Sequence, residues 1–459
     1  MSITQSSLAA RIHLRIRKVS SIPIMPFRAS QVKSQDFVGK EVTIRGWVHR
    51  LRKQKENSFV LVRDDRGGVI QCIIPTEKAS SLTIESSVEI TGNVSQDSRA
   101  PEGGFEIKGK DIRIYNVAGT DYPIGEFQSD ELLLDKRHLT LRTRRMIAIA
   151  KIRATVLDLG RRWFIDNGWM EVTAPTIVKG AVEGGSTLFK LKYFDDEAYL
   201  SQSAQLYLEA MIFSLGPVWS LTPSFRAEKS RTVRHLAEFS HLEAETPWVT
   251  LEDVLKVQEQ LVSYVIQTTV RDRAEDLAYL KRDISDLKKV EPPFERMPYE
   301  KAIGILRSKG VMILEEDGST RQIRSGDDLS IDSERELTKD AERPMFVVGY
   351  PMAVKPFYVK EDGERKGVGL AADMLAPRGF GEITSGGLRE DNIASMTERI
   401  KREGLNPAAY EWYLDLRRYG SVPHGGFGLG IERLLRWITN VEDIKDTVLF
   451  PRTMSRVAP

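Results

Sequence analysis

Between Phe225 and Glu245 the chain reads FRAEKSRTVRHLAEFSHLEAE. Arg226, Arg231, Arg234 and His235 fall close to Glu228, Glu243 and Glu245, with Phe239 among them. An arginine presents a planar, permanently charged fork that matches phosphate oxygens. An aromatic ring can stack on a nucleotide base, and a carboxylate can accept from the base's amino group. Cations for a polyphosphate beside a ring for a base describe nucleotide chemistry. Taken alone, the same composition also suits a charged surface hairpin.

Two further stretches carry chemistry. HGGFGLGIERLLRW, residues 424–437, is a glycine-rich run that opens a helix with Arg433 on its first turn. Glycines let backbone come close to a ligand, although a glycine-rich strand end accounts for them equally. The spacing Gly426-x-Gly428-x-Gly430 is not the dinucleotide fingerprint, and no phosphate-loop Lys-Ser/Thr follows it. Asp373 and Glu382 are a carboxylate pair ahead of Thr384-Ser385-Gly386-Gly387 and Arg389. Magnesium takes one or two carboxylates together with phosphate oxygens and water. Two solvated loop acids would look the same.

The elements that must position these residues follow from patterning. At 459 residues the chain needs two or more domains. A formal net charge of +2 excludes a uniformly basic nucleic-acid coat and leaves room for local basic patches. One cysteine, Cys72, allows no internal disulfide, and no Cys/His cluster offers a zinc site. No apolar run approaches the length of a membrane span. EVTIRGWV, SFVLVRDD, GVIQCIIP, SVEITGNV and Phe105 to Ile114 read as five short strands within residues 31–120. That pattern predicts a small closed barrel such as an OB-fold. Residues 121–145 are polar and turn-rich, a hinge. From Met146 the pattern turns helical, and a second amphipathic helix starts near Leu251. RPMFVVGYP and VKPFYVK read as strands. Without a regular βαβ repeat, residues 146–459 are expected to be an α+β domain around an antiparallel sheet.

In order, these stretches resemble the motifs of class II aminoacyl-tRNA synthetases. FIDNGWMEVTAPTI, with Pro175, resembles motif 1; FRAEKSRTVRHLAEF resembles motif 2; GFGLGIERL resembles motif 3. From about Val38 to Pro451 the chain looks like the aspartyl/asparaginyl subclass, nearest to its archaeal-type asparaginyl members. LSQSAQLYLEAMIFSLGPVWSLTPSFRAEKSRTVRHLAEF, DMLAPRGFGEI and EWYLDLRRYGSVPHGGFGLG carry that likeness. It implies an OB-fold anticodon domain, a catalytic domain, ATP and L-asparagine as substrates, tRNA(Asn) as partner, Mg2+, and a homodimer joined through motif 1.

The resemblance also implies roles for single residues. Arg226 would hold the α-phosphate and the substrate carboxylate, and Arg433 would face the terminal phosphates with His235 and Arg234. Glu228 would accept from the adenine amino group, Phe239 would stack on the ring, and Gly430 would lie in the nucleotide site. Glu382 and Ser385 match magnesium positions, with Asp373 as a helper. Glu183, Ser203, Gln205, Leu208, Glu243 and Arg389 would form the amino-acid pocket, with Glu183 and Gln205 on the α-ammonium. Phe59 would stack on an anticodon base, with Arg50, Arg52 and Gln71 nearby. Alternation alone leaves Phe59 open to a second reading as core filling, with Val60 and Val62 outward.

Leu208 separates the amino-acid choices within the family. Aspartyl relatives generally have lysine there, and Leu208 removes that cation. An aspartate carboxylate beside Glu243 would then go uncompensated. The competing readings are an aspartyl enzyme that charges both tRNA(Asp) and tRNA(Asn), and a tRNA-independent asparagine synthetase paralogue. Residues 1–30 hold five cations and no acid. The expected location is cytoplasmic. An organellar import signal, a basic tail, or a start at Met25 are the accounts open for that segment.

Overall fold

The computed structural model describes residues 26–459 except 102, 126, 181, 183–186, 230, 231, 316 and 317. The readings made for Glu183 and for residues 1–25 lie outside the described residues. The chain separates into two units, one ending at Gln128 and the other starting at Ser129.

The first unit holds β1 (Glu41–Lys53), β2 (Asn57–Arg63), β3 (Val69–Pro75), β4 (Ser87–Gln96) and β5 (Phe105–Asn116). They close into a barrel in the order β1-β2-β3-β5-β4. Alternation fills its interior, since Val42, Ile44, Val48, Val60, Val62, Ile70, Cys72 and Ile74 are all buried. On β2 this parity settles the open reading of Phe59. Val60 and Val62 point inward, and Phe59 lies half-buried on the outer surface.

The second unit begins with a short helix, Asp130–Asp135, whose N-terminus is capped by Ser129. Arg137 is buried and donates to the carbonyls of Lys445, Val448 and Leu449. The stretch read as a hinge therefore packs into this unit from Ser129 onward. The elements that matter to the site follow in chain order: α1 (Arg144–Asp166), β6 (Met170–Glu171), α2 (Gln205–Leu215), β7 (Val218–Phe225), β8 (Glu238–Pro247), α3 (Leu251–Asp272), β9 (Glu295–Pro298), α4 (Tyr299–Ser308), α5 (Ile331–Thr338), β10 (Met345–Val348), β11 (Ala371–Ala376), β12 (Gly381–Leu388), α6 (Glu411–Arg418), β13 (His424–Gly430) and α7 (Ile431–Thr439). The strands form one sheet in the order β9-β10-β11-β12-β13-β8-β7-β6. All its central pairs are antiparallel, and only the two outermost pairs, β9/β10 and β6/β7, are parallel. VKPFYVK does not form a strand. A 3-10 turn at Met352–Val354 and Pro356, which has no N–H to give a ladder, interrupt it, and Phe357 and Tyr358 fill a core instead.

One apolar cluster gathers side chains of α1, α3 and α7 against one face of the sheet. Trp219 stacks on Phe164 there with ring centroids 4.9 Å apart. On β8 the even residues Leu242 and Ala244 belong to this core, which turns Phe239, His241, Glu243 and Glu245 to the other face. Glycines on β13 lie against that second face. A Cβ on Gly426 would stand 2.0 Å from the Ala244 carbonyl oxygen, and one on Gly428 would stand 2.3 Å from His241 Nε2. On Gly426 and Gly428 the missing Cβ permits close approach to the neighbouring strand of the same sheet, and Gly428 and Gly430 also line the crevice on that face.

Cys72 is fully buried in the barrel, and burial pushes its thiol above the ordinary range. Iodoacetamide at pH 8 is expected to label the native protein at least about 100-fold more slowly than the denatured chain. Equal labelling rates, read by mass spectrometry, would place Cys72 outside the barrel core.

Candidate active site

The second face of the sheet opens into a crevice of about 280 Å³. At one end stand the residues read as nucleotide-binding. Arg226, just past the end of β7, lies over the Phe239 ring at 5.5 Å. Arg433 on α7 meets Glu382 at 2.9 Å, and Arg234 meets Glu334 of α5 at 2.9 Å. His235 lies 3.2 Å from Glu228 and 2.6 Å from the Thr232 hydroxyl. Gly430 caps α7 and lines the same wall. Arg433 and the more deeply buried Glu432 both line this end of the crevice. There Glu432 binds Arg153 at 2.8 Å and accepts from the backbone N–H of Ser240.

Asp373 and Ser385 are opposed on β11 and β12, and the Ser385 hydroxyl donates to Asp373 at 2.6 Å. Glu382 and Ser385 are three residues apart, a spacing that puts side chains on opposite faces of a regular strand. The register shifts between Met374 and Leu375, so that Ile383 has no opposite number. This bulge returns Glu382 to the crevice while Ile383 and Thr384 face the core. The oxygen donors Asp373, Glu382 and Ser385 thus share one wall. Lys355 pairs with Asp373 at 2.7 Å.

Charge governs this wall. Burial would raise the Glu382 carboxyl, but Arg433 and then Arg234 outweigh it and bring it to about 2. Burial lowers His235, and Arg433, Arg234 and Arg226 lower it further against the opposing pull of Glu228. Burial raises Glu334 to about 7. Burial also lowers the Lys355 ammonium, yet Asp373 more than reverses this.

At the other end lie Ser203, Gln205, Glu243 and Arg389. Glu243 accepts from the Ser203 hydroxyl and, at 2.8 Å, from the N–H of Ala204. Arg389 makes a forked pair with Glu245, with Nε at 3.1 Å and 3.2 Å from the two oxygens. Leu208 does not line the crevice. It is fully buried among Ala204, Ile212 and Val218, so the sequence reading of it as a pocket residue is corrected to one layer beneath. Apolar packing under α2 is the reason.

No sequence motif marks some residues of the site. Lys355 and Glu334 come from segments with no motif, and only folding brings them to Asp373 and Arg234. Glu209 sits one turn beyond Gln205 on α2, and that i,i+4 spacing was the available signal.

On the barrel, Arg52 stacks over the Phe59 ring at 4.7 Å, from the directly opposed position on β1. Gln71 points outward from β3 and donates to Glu106 at 2.9 Å. Arg50 is exposed on β1 opposite Leu61, beside the register shift after Val48. Together these form an arginine and aromatic face of the kind that stacks on unpaired bases.

An antiparallel sheet carrying a crevice of arginines and carboxylates, in a chain that also has a five-stranded barrel, is the plan of a class II tRNA synthetase. The family model for tRNA synthetases class II (D, K and N) matches residues 129–454, and that for the OB-fold nucleic acid binding domain matches residues 42–115. The chain belongs to this class II family, in its asparagine–tRNA ligase branch. It is 50% identical over 432 residues to the asparagine–tRNA ligase of Thermococcus gammatolerans, covering 92% of this chain and 97% of that one. It is similar to the asparaginyl-tRNA synthetase of Pyrococcus horikoshii solved with asparaginyl-adenylate, with a TM-score of 0.90, 48% identity and coverage of 95% and 100%. The Entamoeba histolytica asparaginyl-tRNA synthetase with asparaginyl-adenylate matches with a TM-score of 0.85, 35% identity and coverage of 95% and 100%.

Glu245 gives a pH prediction. Burial, with help from Glu209 and against Arg389, raises its carboxyl from 4.5 to about 7. A raised carboxyl binds its proton more tightly when folded. Its contribution to stability is therefore full below about 4.5 and is lost as pH rises through about 7. Relative to Glu245→Gln, the wild type should lose on the order of 2 kcal/mol between pH 5 and pH 7.5. Parallel denaturation curves for the two proteins across that range would refute the assignment.

Proposed function

We propose that this chain activates L-asparagine with ATP to asparaginyl-adenylate and transfers the asparaginyl group to the 3′ end of tRNA(Asn). The observation that carries this reading is one crevice with two chemically distinct ends. Arg226, Phe239, Arg433 and His235 stand at one end, and Ser203, Gln205, Glu243 and Arg389 at the other.

In this reading ATP lies with adenine on Phe239 and its amino group donating to Glu228. Arg226 bridges the α-phosphate and the asparagine carboxylate, so nucleophile and electrophile meet without a protein nucleophile. The carboxylate attacks the α-phosphorus in line, and pyrophosphate leaves toward Arg433, Arg234 and His235. Negative charge gathers at the pentacoordinate centre, and Arg226 is placed to stabilise it. The 3′-hydroxyl of the tRNA then attacks the mixed anhydride and releases AMP.

The donor set Glu382, Ser385 and Asp373 fits magnesium, since all three offer hard oxygens from one wall. These residues would hold it, exchanging the present partners Arg433 and Lys355 for the ion. When bound, the ion neutralises phosphate charge.

Asparagine is favoured over aspartate by the balance of charge. Glu243 accepts from an amide NH₂, and the layer beneath this end holds the apolar Leu208 where a cation could otherwise receive a second carboxylate. Glu245 already takes Arg389. Asparagine-dependent ATP–pyrophosphate exchange is expected to exceed the aspartate-dependent rate by at least about 100-fold in kcat/KM. Leu208→Lys, whose ammonium would have to reach the crevice from the layer beneath, should narrow that gap and cut asparagine kcat/KM about tenfold or more. Equal use of both amino acids by the wild type would replace this reading with the aspartyl one. Exchange without any charging of tRNA(Asn) would favour the tRNA-independent paralogue.

Phe59, Arg50, Arg52 and Gln71 are proposed as the anticodon contacts. Phe59→Ala should reduce tRNA charging about tenfold or more, from the loss of one base stack worth about 1–3 kcal/mol, and spare pyrophosphate exchange. Equal loss of both activities would make Phe59 a structural residue.

The active form is proposed to be a homodimer. Ile165, Met170, Ile177 and Leu215 are 41–55% exposed around the edge strand β6 and the segment holding Pro175, an apolar surface that a second copy would cover. Light scattering should give twice the 51.9 kDa of one chain. Cytoplasmic location is proposed with it. Among the described residues no helix is long and apolar enough to cross a membrane.

A further inference from the structure

Behind the amino-acid end of the crevice lies a fully buried polar network that no step above uses. Its centre is Glu209 on α2, which is 0% exposed, as are the side chains of Arg417 and His424. Glu209 Oε2 accepts from Arg417 Nη2 at 2.6 Å and from the Tyr413 hydroxyl at 2.7 Å, and it faces His424 Nε2 at 3.1 Å. Glu209 Oε1 accepts from Gln205 Nε2 at 3.0 Å. Arg417 also donates from Nε to the Glu390 carbonyl, and the backbone N–H of Arg389 donates to the His424 carbonyl. The network therefore ties α2, α6 and β13 to the residue that binds Glu245.

The bond to Gln205 has a chemical consequence. A side-chain amide has a donor end and an acceptor end, and its orientation follows its partners. An ionised carboxylate only accepts, so Glu209 takes the NH₂ of Gln205. The amide oxygen is then turned to the crevice that Gln205 lines. An oxygen there accepts from an α-ammonium, whereas an NH₂ would repel it.

We infer that Glu209 is a positioning residue for amino-acid recognition, which fixes the Gln205 amide so that its oxygen faces the substrate ammonium. The inference rests on the proposed function, in which this end of the crevice takes the amino acid and Gln205 meets its ammonium. Glu209 touches neither substrate nor reacting atoms and acts through Gln205.

Glu209→Gln tests this with little change of shape. Arg417 and Tyr413 donate to the Oε2 position and need an acceptor there, so the new amide places its oxygen there and its NH₂ toward Gln205. Gln205 must turn over to accept, and it then shows its NH₂ to the crevice. The swap Gln205→Glu with Glu209→Gln keeps the same number of charges. In it the amide introduced at position 209 donates to the carboxylate introduced at position 205, which returns an acceptor to the ammonium.

The experiment is asparagine-dependent ATP–pyrophosphate exchange by the full chain, comparing wild type, Q205A, E209Q and the swap Q205E/E209Q. E209Q should raise KM for asparagine about tenfold or more, leave KM for ATP within about twofold, and the swap should recover most of the loss. Thermal unfolding checks that each variant is folded. If Q205A raises KM for asparagine and E209Q does not, the positioning role is overturned while the pocket reading stands. If Q205A has no effect either, the pocket reading itself fails. If E209Q weakens asparagine and ATP alike and the swap rescues neither, Glu209 is a structural residue and the inference is wrong.

Discussion

The second unit depends on one electrostatic constraint: ionised groups gathered in a single crevice must each have a partner before a ligand arrives. Desolvating a lone carboxylate or guanidinium costs far more than a fold can tolerate. Here the partners are internal. Glu382 holds Arg433, Asp373 holds Lys355, Glu334 holds Arg234, and Glu245 holds Arg389. In the proposed reading these pairs hold the cations in place until a ligand exchanges with a partner. A phosphate can take an arginine from its carboxylate, and a divalent ion can take the carboxylate from its cation.

The sheet makes room for this arrangement. Antiparallel neighbours lie about 5 Å apart, so alternating residues of β8, β11 and β12 bring several charges to one face. The opposite parity buries Leu242, Ala244, Ala372 and Met374 under the helices. Glycines on β13 clear room for Glu245 and His241, which are larger than a flat sheet would admit beside a Cβ-bearing neighbour. A bulge on β12 adds Glu382 to the same face as Ser385. The core and the site are thus two sides of one alternation, and a change of register would exchange them.

The barrel solves a different problem with the same parity. Its interior is filled by aliphatic side chains and Cys72, and its outer face carries Phe59 under Arg52. Keeping an aromatic ring outside a small barrel exposes apolar area, which the guanidinium partly covers. That arrangement has a rationale where a base can take the place of solvent.

Much of this was legible in the sequence because it is local. Period-two alternation marked the five barrel strands, and the arginine, carboxylate and aromatic residues of FRAEKSRTVRHLAEFSHLEAE fell at spacings that one hairpin presents on one face. The order of that stretch, Asp373 to Arg389, and GFGLGIERL sufficed for the family likeness. What tertiary structure alone decided is who pairs with whom. Lys355 and Glu334 lie far along the chain from the motifs, and no periodicity marks a partner. Likeness puts Leu208 in the pocket, yet packing against Val218 sets it beneath. The spacing of Glu382 and Ser385 contradicts simple alternation and needs a bulge that only the pairing with β11 creates. Glu209 looks in sequence like one more helix acid. Its role emerges when α2, α6 and β13 close around it, because the partners that orient a buried polar group are fixed by packing of distant segments.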